Sequence, residues 1–184
     1  KMILDKFSLK GKVAIVTGGA KGMGRGICLK FAQEGAKVVA CDLDYEGCQS
    51  VAAEVKAAGG EALAFKTDIT KSADIKQMVD GTLAEFCTID VLVNCAGGVP
   101  GTHASGATGT MSEAEWNRII NINLTGPWLV TEAVLPTMKE KKSGSIMFVS
   151  SMGAVQPVVP VLHYHSAKAG VIGLSLNLAF ELAP

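Results

Sequence analysis

Neither sign of charge predominates in these 184 residues: 17 Lys and Arg face 17 Asp and Glu. A net charge of zero gives no electrostatic pull toward nucleic acid or toward an anionic membrane surface. No uninterrupted apolar run reaches the roughly 20 residues that a bilayer requires. The N-terminal KMILDKFSLKGK sets charges on both sides of a short apolar patch and has no signal-peptide core. No C-x-x-C pair occurs among Cys28, Cys41, Cys48, Cys87 and Cys95, and their number is odd. They read as reduced, buried thiols of a cytoplasmic protein rather than as a disulfide framework. His103, His163 and His165 stand at no zinc-ligand spacing from those cysteines, so no metal is expected. The two that flank Tyr164 are read as exposed.

What is present is a hydrophobic share of 48%, enough for one well-buried domain over residues 1–184. Short β-branched runs alternate with longer amphipathic stretches. KVAIVTG (12–18), AKVVACD (36–42), EALAFKTD (61–68), IDVLVNCAG (89–97) and GSIMFVSS (144–151) read as strands. GRGICLKFAQEG and EGCQSVAAEVKAAGG, both ended by glycine, read as helices between them. Ser72 is the expected cap of a third helix carrying Ile75, Met78, Val79, Leu83 and Phe86 at helical spacing. Ser112 and Glu115 form a capping-box signature for a long helix to about Met138, which Pro127 and Pro136 should kink or shorten. KEKK (139–142) reads as its solvated end. A last helix runs from Tyr164.

Strand alternating with helix predicts an α/β fold: a doubly wound parallel sheet, Rossmann-like, with helices on both faces. Ligands of such sheets sit at the carboxyl ends of the strands, where the strand order reverses. TGGAKGMG (17–24) lies at such an end, between the first strand and first helix. Gly18, Gly22 and Gly24 allow a tight turn, and the helix N-terminus offers N–H groups and a positive dipole to a pyrophosphate. Asp42 closes the second strand, 18 residues past Gly24. Its carboxylate can accept from both hydroxyls of an adenosine ribose and would repel a 2′-phosphate, which favours NAD over NADP. Lys21, a cation in the phosphate loop, is the contrary signal.

YHSAK (164–168) puts Tyr and Lys four apart, on one helical face. A free phenol titrates near pH ~10. An ammonium beside a phenol favours the phenolate, which suits the pair to general acid/base work on an alcohol or carbonyl.

Taken together these motifs resemble the short-chain dehydrogenase/reductase family, over nearly the whole chain. TGGAKGMG is similar to the family's glycine motif, with Gly18, Lys21, Gly22, Met23 and Gly24 toward the cofactor. NCAG (94–97) is similar to its N-A-G motif, with Cys95 where Asn is commoner, and brings Asn94, Ala96 and Gly97 to the cofactor. Asp68-Ile69 is similar to the pair that touches adenine. INLTG (122–126) carries the active-site Asn as Asn123, VSS (149–151) carries the Ser, and YHSAK matches Y-x-x-x-K. Ser151 stands 13 residues before Tyr164, the family's spacing, and is chosen over Ser150.

The resemblance implies an oxidoreductase moving a hydride between NAD and a secondary alcohol or ketone. Tyr164 is then the acid/base, and Ser151 holds the substrate oxygen. Lys168 also binds the nicotinamide ribose, and Asn123 holds a water leading to solvent. An NADPH-dependent ketoreductase of the 3-oxoacyl type and a non-catalytic nucleotide-binding protein are the alternatives. A homotetramer or homodimer is implied, packed through the long helix and through a last helix apolar all round (Val171, Ile172, Leu174, Leu176, Leu178, Phe180). The family's sixth strand, substrate loop and seventh strand do not follow Pro184. The chain is therefore read as part of a longer protein, with a sheet edge and apolar helix surface uncovered. The Gly-rich loop 97–110 carries no chemical identity, so the substrate stays open.

Overall fold

A computed structural model describes residues 8–101 and 107–183. His103 and Gly106, Pro184 and the apolar patch near the N-terminus lie outside the described residues.

Five strands form one sheet: β1 (Val13–Thr17), β2 (Lys37–Asp42), β3 (Ala62–Lys66), β4 (Val91–Asn94) and β5 (Ser145–Phe148). They are ordered β3-β2-β1-β4-β5 and every pair is parallel. The chain winds outward from β1 to β3, then returns to place β4 on the other side of β1. The order reverses between β1 and β4, which is the expected doubly wound arrangement. Alternation along each strand feeds two cores. Ala14, Val16, Val38, Ala40 and Val93 face α1 (Gly22–Gln33) and α2 (Tyr45–Ala57). Val13, Ile15, Val39, Cys41 and Leu92 face Ile75, Met78 and Val79 of α3 (Ser72–Phe86), with Val130, Val134 and Met138 of the helix before β5.

Several boundaries differ from the sequence-based expectation. Ser72 is the first residue of α3 rather than its cap; Lys71 takes the cap position and makes no side-chain bond there. The turn before it is held instead by Asp74, which accepts from the Asp68 N–H, and by Asp68, which accepts from the Thr70 N–H. Ser112 does cap its helix, accepting from the Glu115 N–H. The long helix is three segments: α4 (Glu113–Ile120), a π turn (Asn121–Thr125) and α5 (Gly126–Glu140). Pro127 follows directly on the π turn, in the first turn of α5, and Pro136 lies inside α5 without ending it.

KEKK is not simply solvated. Lys141 donates to the Ile89 carbonyl and to Asp90 Oδ1, both at 2.6 Å, and to Thr88 Oγ1. Cys28, Cys41 and Cys48 are buried, but Cys87 is exposed; all five thiols are free. Burial pushes the Cys28 and Cys48 thiols up to about 12, which keeps them protonated and unreactive.

The last helix, α6 (Leu162–Leu182), starts two residues earlier than expected and follows a short 3-10 turn (Met152–Ala154). It packs against α4, the π turn and β5. His163 and His165 are both buried, against the expectation of exposure. The far half of α6, expected to be buried on several sides, is open at Leu176 and Phe180. β5 is an edge strand. A groove of about 760 Å³ runs beside it, lined in part by Leu135, Met138, Ile146, Phe148 and Leu178. Among the described residues no helix is long and apolar enough to cross a membrane.

Candidate active site

At the reversal point the ends of β1 and β4 are locked together by Thr17. Its Oγ1 accepts from the N–H groups of Cys95 and Ala96, at 3.1 and 3.0 Å. A buried hydroxyl that serves two strands this way had one signal in the sequence: it is the polar last residue of an otherwise apolar strand. The glycine loop then presses on the segment after β4. Gly18 has φ +68°, and a Cβ there would fall 2.9 Å from the Ala96 backbone. A Cβ on Gly24 would meet the Gly18 carbonyl oxygen at 2.0 Å. Both positions need glycine for space. Gly22 also has positive φ, +54°, but looks onto open space, as does Gly98. Lys21, at the cap of α1, and Met23 are exposed, and no acidic side chain occupies the first turn of α1.

Asp42 closes β2 with both carboxylate oxygens turned on the chain: Oδ2 accepts from the Ala20 N–H at 3.3 Å and Oδ1 from the Asp44 N–H at 3.1 Å. It thus braces the glycine loop, and each oxygen keeps a lone pair. Asp68 accepts from the Thr70 N–H and hydroxyl and pairs with Lys71. Burial pushes its carboxyl up, but those hydrogen bonds and the Lys71 ammonium prevail and hold it below the usual range. Ile69 is buried against Gly126, where a Cβ would meet its Cδ1 at 2.8 Å. Asn94 is buried, and its amide nitrogen donates to Thr131 Oγ1 of α5. Its side chain joins strand to helix, and its carbonyl accepts from the Val149 N–H at 3.0 Å, tying it to the end of β5.

Asn123 lies inside the π turn, fully buried. Its Nδ2 donates to the carbonyls of Gly98 and Ile119, at 2.8 and 3.0 Å, and its Oδ1 accepts from the Gly98 N–H at 2.8 Å. Three of its four hydrogen-bonding positions are thereby filled, and a water would find one lone pair of Oδ1. The π turn, a winding often found at functional sites, thus aims a side chain at the loop after β4.

Lys168 is buried, 4% exposed, and donates to the Val149 carbonyl at 2.8 Å. Burial pulls its ammonium below the ordinary lysine range, while the nearby Cys95 thiol opposes this. Its Nζ lies 5.8 Å from the centre of the Tyr164 ring. Gly97 completes the cluster, because a Cβ there would fall 2.8 Å from Asn123 Oδ1 and 3.1 Å from Lys168 Nζ. Gly97, Asn123, Tyr164 and Lys168 therefore converge from β4, the π turn and α6.

Of the two serines, Ser150 donates its hydroxyl to the Lys168 carbonyl at 2.9 Å. Ser151 caps the 3-10 turn, its Oγ accepting from the Gly153 N–H at 3.2 Å, which leaves its own proton to give.

The family model described as short chain dehydrogenase matches residues 12–184. The chain belongs to the short-chain dehydrogenase family. Relatives within it include the 3-oxoacyl-[acyl-carrier-protein] reductase FabG of Thermotoga maritima, 37% identical over 95% of this chain and 70% of that protein. The (2S)-[(R)-hydroxy(phenyl)methyl]succinyl-CoA dehydrogenase subunit BbsD of Thauera aromatica is 40% identical over 95% of this chain and 68% of its own length. A solved 7α-hydroxysteroid dehydrogenase, complexed with NADH and 7-oxo glycochenodeoxycholic acid, superposes with a TM-score of 0.91 at 31% identity. It covers 99% of this chain, which spans 69% of that one. As a member of the short-chain dehydrogenase family the chain is of oxidoreductase type, and its fold is the parallel, Rossmann-like sheet described above.

Proposed function

We propose that this chain moves a hydride between NAD and a secondary alcohol or its ketone, with Tyr164 giving or taking the proton. The observation that carries the reading is the buried Lys168 ammonium, held by the Val149 carbonyl beside the Tyr164 ring. A fixed cation at that place stabilises negative charge on the phenol oxygen as the proton leaves. Ser151, whose oxygen is already held by Gly153, has its proton free for the substrate oxygen. Asn123 keeps the loop after β4 against this cluster through Gly98.

The chain's residues fit a dinucleotide. The glycine loop brings backbone N–H groups and the open N-terminus of α1 to a pyrophosphate, with a cation at the cap. Asp42 offers its remaining lone pairs to ribose hydroxyls, and Asp68 and Ile69 stand at the adenine end. Asn94, Ala96 and Gly97 follow β4 toward Tyr164 and Lys168. When bound, the nicotinamide supplies the site that accepts or donates the hydride. NAD is preferred because a 2′-phosphate would meet the Asp42 carboxylate. An NADPH-dependent ketoreductase of the 3-oxoacyl type is the second reading, favoured by the exposed Lys21 and by the relatives named 3-oxoacyl reductases. A cytoplasmic homodimer or homotetramer completes the proposal, joined through the exposed apolar residues of α5 and α6.

The test is a screen with NAD and NADP against D-threitol, cyclohexanol, a 7α-hydroxysteroid and a 3-hydroxyacyl thioester, followed by Tyr164→Phe. Loss of the phenol proton should lower kcat by about 10²–10⁴-fold and leave the NAD dissociation constant unchanged. A variant that keeps full turnover would remove Tyr164 from the chemistry, and a chain that binds NAD but oxidises none of these alcohols would favour a binding role.

A further inference from the structure

His163 has one ring nitrogen engaged and the other stranded. Its Nδ1 accepts from the Tyr164 backbone N–H at 2.8 Å. That N–H is among the donors that a helix leaves without an internal partner at its start. In α6 the bond from the His165 N–H to the Val161 carbonyl comes one residue later. With Nδ1 as acceptor, the proton of the neutral imidazole sits on Nε2. Among the described residues Nε2 is buried without a hydrogen-bond partner, in a side chain only 1% exposed.

The carboxylate beside it belongs to Glu115 of α4, whose Oε1 is 3.9 Å from Nε2. Glu115 grips Arg118 with both oxygens, at 2.7 Å each, and Arg118 Nη2 also donates to the Pro100 carbonyl at 2.7 Å. A chain of polar groups therefore runs from the first turn of α6, through α4, to the loop after β4.

We infer that His163 is a positioning residue for Tyr164: its Nδ1 fixes the turn that carries the phenol, and its Nε2–H faces the Glu115–Arg118 pair that holds the loop after β4. A leucine would fill the same space without stranding a polar atom. The ring is of use here because it occupies the orphan N–H of the very residue that must keep its orientation. The inference rests on the dehydrogenase reading above, since it gives Tyr164 a geometry worth fixing.

Three substitutions separate the two ends of the ring. His163→Asn keeps an acceptor near the place of Nδ1, His163→Gln reaches toward the place of Nε2, and His163→Leu does neither. Amide exchange at Tyr164, followed by NMR in the whole chain, should be slow in the unaltered protein and in His163→Asn, and fast in His163→Leu. With NAD and the best alcohol of the screen, His163→Leu should lose about 10–100-fold in kcat, with KM and the NAD dissociation constant unchanged, and His163→Asn should recover most of it. Equal Tyr164 exchange in all variants, or His163→Asn no faster than His163→Leu, would overturn the inference. Should the leucine variant not fold, His163→Asn against His163→Gln makes the same comparison, with Asn expected to be the faster enzyme and the slower exchanger. If the unaltered chain oxidises none of the alcohols, the dehydrogenase reading fails on its own, and the exchange rates still decide whether His163 holds the turn.

Discussion

Lys168 and Asp42 are two charges used in opposite ways. Lys168 is taken out of water, and the energetic cost of that shows in an ammonium pulled below its ordinary range by burial. Asp42 stays partly open at the strand end, and its two backbone contacts hold it without using it up. This difference makes Asp42 the residue on which nucleotide choice can be tested without breaking the loop. Asp42→Asn keeps an oxygen for the Ala20 N–H and removes the negative charge. NADP should then gain on NAD by about tenfold, which is ~1.4 kcal/mol, in the ratio of kcat/KM values measured side by side. A ratio that does not move would place the 2′ position elsewhere. Tyr164 and Lys168 stand out in the sequence because residues four apart share one helical face, whereas Ser151 and Asn123 are proposed on the family resemblance. His163 does not stand out. A buried neutral ring that accepts from its neighbour's N–H looks, in sequence, like any exposed histidine at a helix start.

The segment from Ser112 to Lys141 shows why element ends are harder to read than their middles. Half of its capping box was legible: Ser112 accepts from the Glu115 N–H as expected, while the Glu115 carboxylate turns to Arg118 instead of reaching back. The π turn was not, because Asn121–Thr125 continue a helical pattern, and Pro127 just beyond marks a disturbance whose form local sequence does not show. The C-terminal end was read as solvent-facing for the same reason: Lys141 finds its partners about 50 residues away in sequence, at Thr88, Ile89 and Asp90. Asp90 in turn accepts from the Val13 N–H at 2.9 Å, so one carboxylate ties the start of β1 to the end of α5. Burial pushes this carboxyl up, but its bonds to Lys141 and Val13 and the charges of Lys141 and Lys12 outweigh that and hold it below the usual range. A carboxyl lowered on folding stabilises the fold above its unfolded value, near pH ~3.9, and that contribution disappears as the pH falls through the lower folded value. Asp90→Ala should therefore cost about 2 kcal/mol in urea unfolding at neutral pH. The gap between variant and parent should close in acid, below pH ~3.9. A gap of constant size across that range would mean that the carboxylate's charge plays no part.

Across the whole molecule, chemistry and surface lie at different places. The reversal of strand order between β1 and β4 gathers the glycine loop, Gly97 and the π turn at one end of the sheet, and this was foreseeable because alternating strands and helices permit few arrangements. Substrate choice was not foreseeable, since the loop after β4 offers glycine rather than side chains that a substrate would recognise. The apolar pattern of α6 was visible in sequence, but not which neighbours would cover it. In the structure Ile172, Leu176 and Phe180 follow one another at four-residue steps and are all exposed, Phe180 at 86%. Three large apolar side chains on one helical face, left in water, forgo about 1.5–3 kcal/mol each of burial. In the oligomer proposed above, a second copy presenting the same face would cover them by two-fold symmetry, each helix against the other. Light scattering should then find a dimer or larger in the unaltered chain, and Leu176→Asp with Phe180→Asp should give a monomer. Because both side chains are exposed within one subunit, the thermal midpoint of the isolated subunit should hardly move. A parent that is monomeric at the same concentration would overturn the two-fold pairing.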